Sequence, residues 1–129
     1  MVDPRTPVLI GAGQLSVRVD QGETPLEPAD LIAECLRRGA ADAGVAAAAL
    51  AGADAVHIVS LLSWHYRDPG LAVAQRLGAA PRDTSLSGLG GNTPQTLVNQ
   101  TCLAIQAGDA DLVLVGGAET WRTRTSNRR

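Results

Sequence analysis

Ala104-Ile105-Gln106-Ala107-Gly108-Asp109-Ala110-Asp111-Leu112-Val113-Leu114-Val115-Gly116-Gly117-Ala118-Glu119 holds a complete helix-to-strand junction. Its first residues have the composition of a helix end, and Gly108 stands where a left-handed terminator is needed. Asp109-Ala110 leaves room only for a tight turn. After Asp111 the run Leu112–Val115 is aliphatic on both of its faces, as a strand covered by two layers must be, and Gly116-Gly117 stops it. Such a strand, entered directly from a helix, is the unit from which helix-covered parallel sheets are built.

The same unit recurs upstream. The helix that ends at Ala107 begins at Asn92, which stands as N-cap with Gln95 three residues on, the spacing of a capping box; Pro94 is tolerated in the first turn. Leu97, Val98, Thr101, Cys102 and Ile105 share one face of it while Leu103 lies elsewhere, which predicts a helix covered on two sides. Thr84–Leu89 precedes it as a strand whose Thr-Ser-Leu-Ser composition suits a sheet edge. Before that come a short helix, Pro69–Leu77, ended by Gly78, and an apolar strand from Asp54 to Leu62. Pro28 opens a helix reaching about Ala43, with Glu27, Asp30 and Glu34 near its positive end and Gly44 as terminator. Pro7-Val8-Leu9-Ile10-Gly11-Ala12-Gly13 has the look of a buried strand, followed by a loop through Pro25. Ala46-Ala47-Ala48-Ala49 is a filler between elements. The order is β-α-β-α-β-α-β, which calls for an α/β fold with a mostly parallel sheet and helices on its faces.

At 129 residues one domain is the default. Its apolar content of 45% is ordinary, but with no Phe, one Tyr and two Trp the core is made of small side chains that each bury little area. Of the 11 basic residues, Arg122, Arg124, Arg128 and Arg129 lie at the extreme C-terminus, which leaves seven against 13 acidic ones in the body. A body that acidic excludes a nucleic-acid platform. Residues 1–121 are expected to form the folded part and 122–129 an Arg-rich, solvated and frayed tail. Cys35 and Cys102 are too few for a disulfide framework and no metal-ligand spacing is present, which fits a reducing cytoplasm. Val8-Leu9-Ile10 is too brief for a signal or membrane segment.

Four motifs invite a chemical reading. Gly11-Ala12-Gly13 follows a strand, but Ser16 occupies the third glycine position of a dinucleotide fingerprint and the next helix starts a dozen residues later, so no helix start awaits a pyrophosphate. His57, mid-strand among apolar neighbours, is expected to be a hydrogen-bonded core histidine. Trp64-His65-Tyr66-Arg67-Asp68 concentrates two of the three large aromatics in one loop, either to line an acyl channel or, as its lack of a relay partner favours, to pack. Gly90-Gly91-Asn92 lies at a helix start, where close backbone approach and the positive dipole end suit an anion or a thiolate. The bland alternative is a strand-to-helix turn that needs glycine for its φ angles.

Taken in order, Thr6–Gln14, the helix from Pro28 to Gly44 and above all residues 104–119 resemble the N-terminal domain of thiolases, whose helix end, "I-x-A-G-x-A-D", strand and "G-G-x-E" the last stretch matches closely. The middle segment, Val59-Ser60-Leu61-Leu62-Ser63-Trp64, is most similar to the acetyl-CoA acetyltransferase or sterol-carrier-type branch. The resemblance implies a thiolase-like layered half-domain and Claisen chemistry on coenzyme A thioesters, in lipid metabolism, with no bound cofactor and no metal. A cysteine at the start of the third helix takes the acyl group in that family, and histidines and an asparagine of the second half assist it. Counted back from Ile105, the cysteine's place falls on Gly91, give or take one residue. Cys102 lies roughly 15 Å along the helix and cannot substitute, and Thr93 lacks a base to activate it. Thiolases are about three times longer, so the resemblance implies a truncated N-terminal fragment, inactive alone, with no catalytic residue of its own. Two other functions fit the resemblance: a non-catalytic module that forms a homodimer or joins a thiolase-fold partner through strand 84–89, and a cysteine-less aldolase acting on CoA-linked substrates.

Overall fold

The computed structural model describes residues 1–18 and 26–126. Part of the expected loop before Pro28 and the last three residues of the expected tail lie outside them.

Helix α1 (Pro28–Asp42) starts where the proline and acidic residues place it: the Glu27 N–H donates to the Asp30 carboxylate at 2.9 Å, so the helix satisfies its own entry. Gly44 at φ 75° lies just past its end, as the composition predicts. The alanine run is not mere filler but part of a 3₁₀ turn, Ala47–Gly52, that buries Leu50. Strand β1 (Ala55–Ile58) leads to α2 (Pro69–Leu77), which Asp68 caps by accepting from the Leu71 N–H at 2.9 Å and Gly78 ends at φ 68°. Strand β2 (Asp83–Leu86), helix α3 (Thr93–Gln106) and strand β3 (Val113–Gly116) follow. A last short helix, α4 (Trp121–Ser126), lies across the boundary set at residue 121, where composition predicts a frayed tail. Arg124 explains the difference: its guanidinium lies 5.2 Å over the Trp121 ring and donates to the Leu62 carbonyl, so side-chain contacts order the segment.

The sheet is parallel throughout, in the order β2-β1-β3, with Val56 opposite Thr84 on one side and Leu114 on the other. This is the α/β, mostly parallel and helix-covered architecture that the alternation of elements predicts, and β2 is the edge strand its polar composition calls for. Val56, Ile58 and Leu114 point to one face, where they meet Ile32 of α1 and Val73 and Ala74 of α2 in the main core. Helix α1 packs into the core on the Val56, Ile58 and Leu114 face, whereas α3 touches β3 without joining that cluster, which puts α3 on the opposite face.

Two expectations are corrected. Residues 7–13 join no ladder, so the sheet of the described residues has three strands rather than four. Val8, Leu9 and Ile10 are 58–89% exposed, because the aliphatic pattern supplies propensity but pairing needs a neighbour within ladder distance. Gly11 and Gly13 have a role all the same: a Cβ at either would collide with the backbone of α1 around Gly39 and Cys35, so these glycines let the segment lie directly on the helix. Helix α3 is not covered on two sides either. Leu97 is its one buried residue, and Val98 and Leu103 are exposed.

Candidate functional site

The turn into α3 is built by glycine. Gly90 takes φ 154°, a conformation costly for any residue with a Cβ, and its carbonyl accepts both the Thr93 N–H at 3.2 Å and the Thr93 hydroxyl at 2.8 Å. Gly91 has an ordinary φ and open space around it: a Cβ there would meet no atom within 4 Å. The two glycines therefore differ, Gly90 being required by the backbone and Gly91 being free of any such demand. Asn92 is the N-cap by position but makes no side-chain cap bond, and Gln95 bonds Asn99 instead of reaching back, so the capping box expected from sequence does not form. Among the first-turn amides, Thr93 and Thr96 are bonded to the carbonyls of Gly90 and Asn92 and Pro94 has none, which leaves Gln95 to offer an N–H. The helix start is thus a narrower donor site than its sequence promised. The Thr93 hydroxyl is engaged with the Gly90 carbonyl, and among the described residues no basic side chain bonds it.

Behind this turn the sheet brings together a pair that residue spacing did not reveal. His57 and Ser85 are register partners on β1 and β2, and His57 Nδ1 lies 2.5 Å from Ser85 Oγ. The histidine is hydrogen-bonded and half-buried, as its mid-strand position predicts. Among the described residues no carboxylate bonds the ring to orient it, so the pair lacks the third member of a nucleophilic relay. The only signal for the pairing is strand register, which a single sequence does not carry.

Glu119, last residue of the quoted stretch, ties the ends of β1 and β3 together. Its two carboxylate oxygens accept from the Leu62 and Ser63 N–H groups at 2.7 Å each, and Ser63 Oγ accepts from the Thr120 N–H at 2.8 Å. These are charge-assisted backbone bonds that hold a loop, not a reacting centre.

Within the aromatic loop Tyr66 packs against the core, while His65 and Arg67 are exposed. Tyr66 Oη donates to Glu27 at 2.9 Å and accepts from the Ala29 N–H at 3.1 Å, and Arg76 bridges Glu27 and Asp30. Burial of the Asp30 carboxyl works to raise its pKa, but the Arg76 guanidinium and the Glu27 N–H outweigh it and hold the group below the usual carboxylate range. Burial pushes the Tyr66 phenol up to about 12, helped by the Glu27 carboxylate. Tyr66 is the chain's one tyrosine, so its ionisation is directly visible. Its folded pKa lies above its unfolded one, so the stability it contributes is complete below about pH 10 and is lost as pH rises through about 12. An absorbance titration of phenolate at 25 °C is expected to show a midpoint near 12; a midpoint near 10 in the folded chain would show the hydroxyl to be solvated.

Among the described residues no group of three His, Cys, Asp or Glu is placed to hold a metal ion. No helix among them is long and apolar enough to cross a membrane.

Neither a protein-family model nor a curated protein sequence matches the chain. Among solved structures, the monomeric SCP2-thiolase-like protein type 1 of Mycobacterium smegmatis superposes with a TM-score of 0.75 at 32% identity, over 91% of this chain. The fold is thiolase-like. The match spans 24% of that longer protein, so this thiolase-like chain corresponds to about a quarter of its relative. That relative is described as monomeric.

Proposed function

We propose that the chain is the nucleophile-loop portion of a thiolase-type protein that handles acyl-CoA, and that by itself it does not turn acyl-CoA over. The observation that carries this reading is the α3 start: Gly91 occupies the position counted for the nucleophile, with space for a side chain and no side chain in it. The thiolase-like fold supports the acyl-CoA substrate class, and the Gln95 N–H at the helix start suits a thioester carbonyl. Cys102 sits far along α3, and Thr93 spends its hydroxyl on Gly90.

The test is to incubate the purified chain with acetyl-CoA and follow free CoA with a thiol reagent. Release no faster than in buffer is expected, and turnover above that background would overturn the absence of catalysis. The variant Gly91→Cys adds a structural arm. With open space and an ordinary backbone it should fold within about 1 kcal/mol of the parent chain. A larger loss by chemical denaturation would show that Gly91 is required by the turn and is not a vacated side-chain position.

A second reading has its own observation. Strand β2 is an open edge with Leu86 half-exposed, so a non-catalytic role in joining a second copy or a partner through residues 84–89 is open to it. Light scattering at dilute concentration, with a CoA-binding measurement beside it, tests this reading: a strict monomer with no affinity for CoA removes it.

A further inference from the structure

His57 Nδ1 and Ser85 Oγ, 2.5 Å apart across β1 and β2, form a pair with a direction. Among the described residues Ser85 Oγ has no other acceptor, so its proton goes to Nδ1 and the neutral ring carries its own proton on Nε2. The neighbouring hydroxyls are spent on oxygens: Thr84 donates to the Asp68 carboxylate, Ser87 to the Gly88 carbonyl and Thr93 to the Gly90 carbonyl. Ser85 is the one hydroxyl among the described residues that meets a nitrogen base.

The pair lies on the sheet face turned away from the main core, because Val56 and Ile58, on either side of His57 along β1, point into that core. Helix α3, on the same face, rests on β3 rather than on β1 or β2, and His57 and Ser85 both keep part of their surface in solvent. The backbone beside Ser85 supplies a donor as well. Asp83 and Ser87 donate to the carbonyls of Asp54 and Ile58, on the β1 side. Alternation along the strand turns the Leu86 N–H the other way, off the open edge of the sheet, on the residue that follows Ser85.

We propose that Ser85 is an acyl-acceptor site, which takes one acyl group from a carboxylic ester with a good leaving group, a thioester or an aryl ester, with His57 as its base. Ser85 Oγ forms the bond to the acyl carbon while its proton passes to His57 Nδ1. The Leu86 N–H is the donor for the oxygen of the tetrahedral adduct. The bond from the acyl carbon to sulfur or to the aryl oxygen then breaks, and the proton on Nδ1 goes to the departing thiolate or phenolate. A thiol or a phenol leaves, and an ester remains on Ser85. The reaction stops there. The bond to Ser85 is the ring's only hydrogen bond among the described residues, and acylation removes it, so nothing holds the imidazole in place to activate a water. The pair traps one acyl group per chain and is not a hydrolase. The proposal is independent of the reading of the α3 start: a single acylation frees one thiol per chain and leaves the steady release of CoA at the rate in buffer.

The experiment incubates the 129-residue chain with p-nitrophenyl acetate in one arm and acetyl-CoA in the other, and maps the acetyl group by peptide mass. All 11 basic residues are arginine, so no lysine competes for it. With the aryl ester, Ser85 is expected to be acetylated roughly tenfold or more faster than Ser87 in the same chain, with phenol release ending at one equivalent. His57→Gln, shown by circular dichroism to keep the parent fold, is expected to slow acetylation of Ser85 roughly a hundredfold. Labelling of Ser85 by acetyl-CoA as well makes thioesters a source of the acyl group, and labelling by the aryl ester alone assigns the site to oxygen esters; both uphold it. Three results would overturn the proposal: Ser85 labelled no faster than Ser87 with either donor, equal rates in the parent and the folded His57→Gln chain, or phenol release that continues past one equivalent. The first comparison needs no variant.

Discussion

Replacing Ile32 by alanine is expected to destabilise the domain by about 2–5 kcal/mol, a large share of the roughly 5–15 kcal/mol that domains of ordinary size possess. Ile32 is 1% exposed and packs at the centre of the cluster that joins α1 to Val56 and Ile58 of β1 and Val73 of α2. Its neighbours are held on the strand and on α2, so the vacated volume closes only in part. Denaturant unfolding monitored by circular dichroism measures the loss; a change below about 1 kcal/mol would mean that the core repacks as a fluid layer. A coupled measurement sharpens the assignment. A Cβ built at Gly116 would lie 2.7 Å from Ile32 Cγ2, so Gly116→Ala should be harmful in the parent chain and considerably less so once Ile32 is alanine. Additive effects of the two substitutions would show that the side chain and the strand do not meet.

Gly70→Ala is expected to cost about 1–3 kcal/mol by overpacking. Gly70 is buried in the first turn of α2, where a Cβ would sit 2.7 Å from the Thr84 Cβ and 3.0 Å from the Val56 carbonyl oxygen. Neither is the far end of a flexible side chain, so the helix itself must move off β1 and β2. Its N-terminal anchor resists that: Asp68 accepts from the Leu71 N–H and, with its other oxygen, from the Thr84 hydroxyl at 2.9 Å. Alanine has the higher helix propensity, so on local grounds the change should stabilise. A measured gain in stability would show that α2 stands further from the sheet than its contacts indicate.

Much of this architecture was legible before the structure. Helices α1 and α2 were bounded correctly because Pro28, Pro69, Gly44 and Gly78 act through their own backbones and need no distant partner. The polar composition of Thr84–Ser87 marked β2 as an edge, and the apolar runs marked β1 and β3 as its covered neighbours. Residues 7–13 have the composition of a strand but join none, because a strand is defined by what lies beside it, and here a cavity does. The segment Trp121–Ser126 shows the converse, a charged composition that forms a helix because Arg124 meets Trp121 and the Leu62 carbonyl in three dimensions.

The candidate site divides along the same line. That Gly90-Gly91-Asn92 opens a helix, and that no cysteine stands there, follows from the residues in order, because glycine after a strand and before an apolar helix has few other uses. Which glycine the turn needs was decided by tertiary structure: only the observed φ separates Gly90 at 154° from Gly91, and only the surroundings show the open space at Gly91. The pairing of His57 with Ser85 and the Glu119 clasp on Leu62 and Ser63 depend on register and on contacts between residues 28 to 57 positions apart. Local backbone chemistry determined where the chain turns and what each segment is. Long-range packing alone determined which segments meet and which edge of the sheet remains open, because those outcomes depend on distances between residues far apart in sequence.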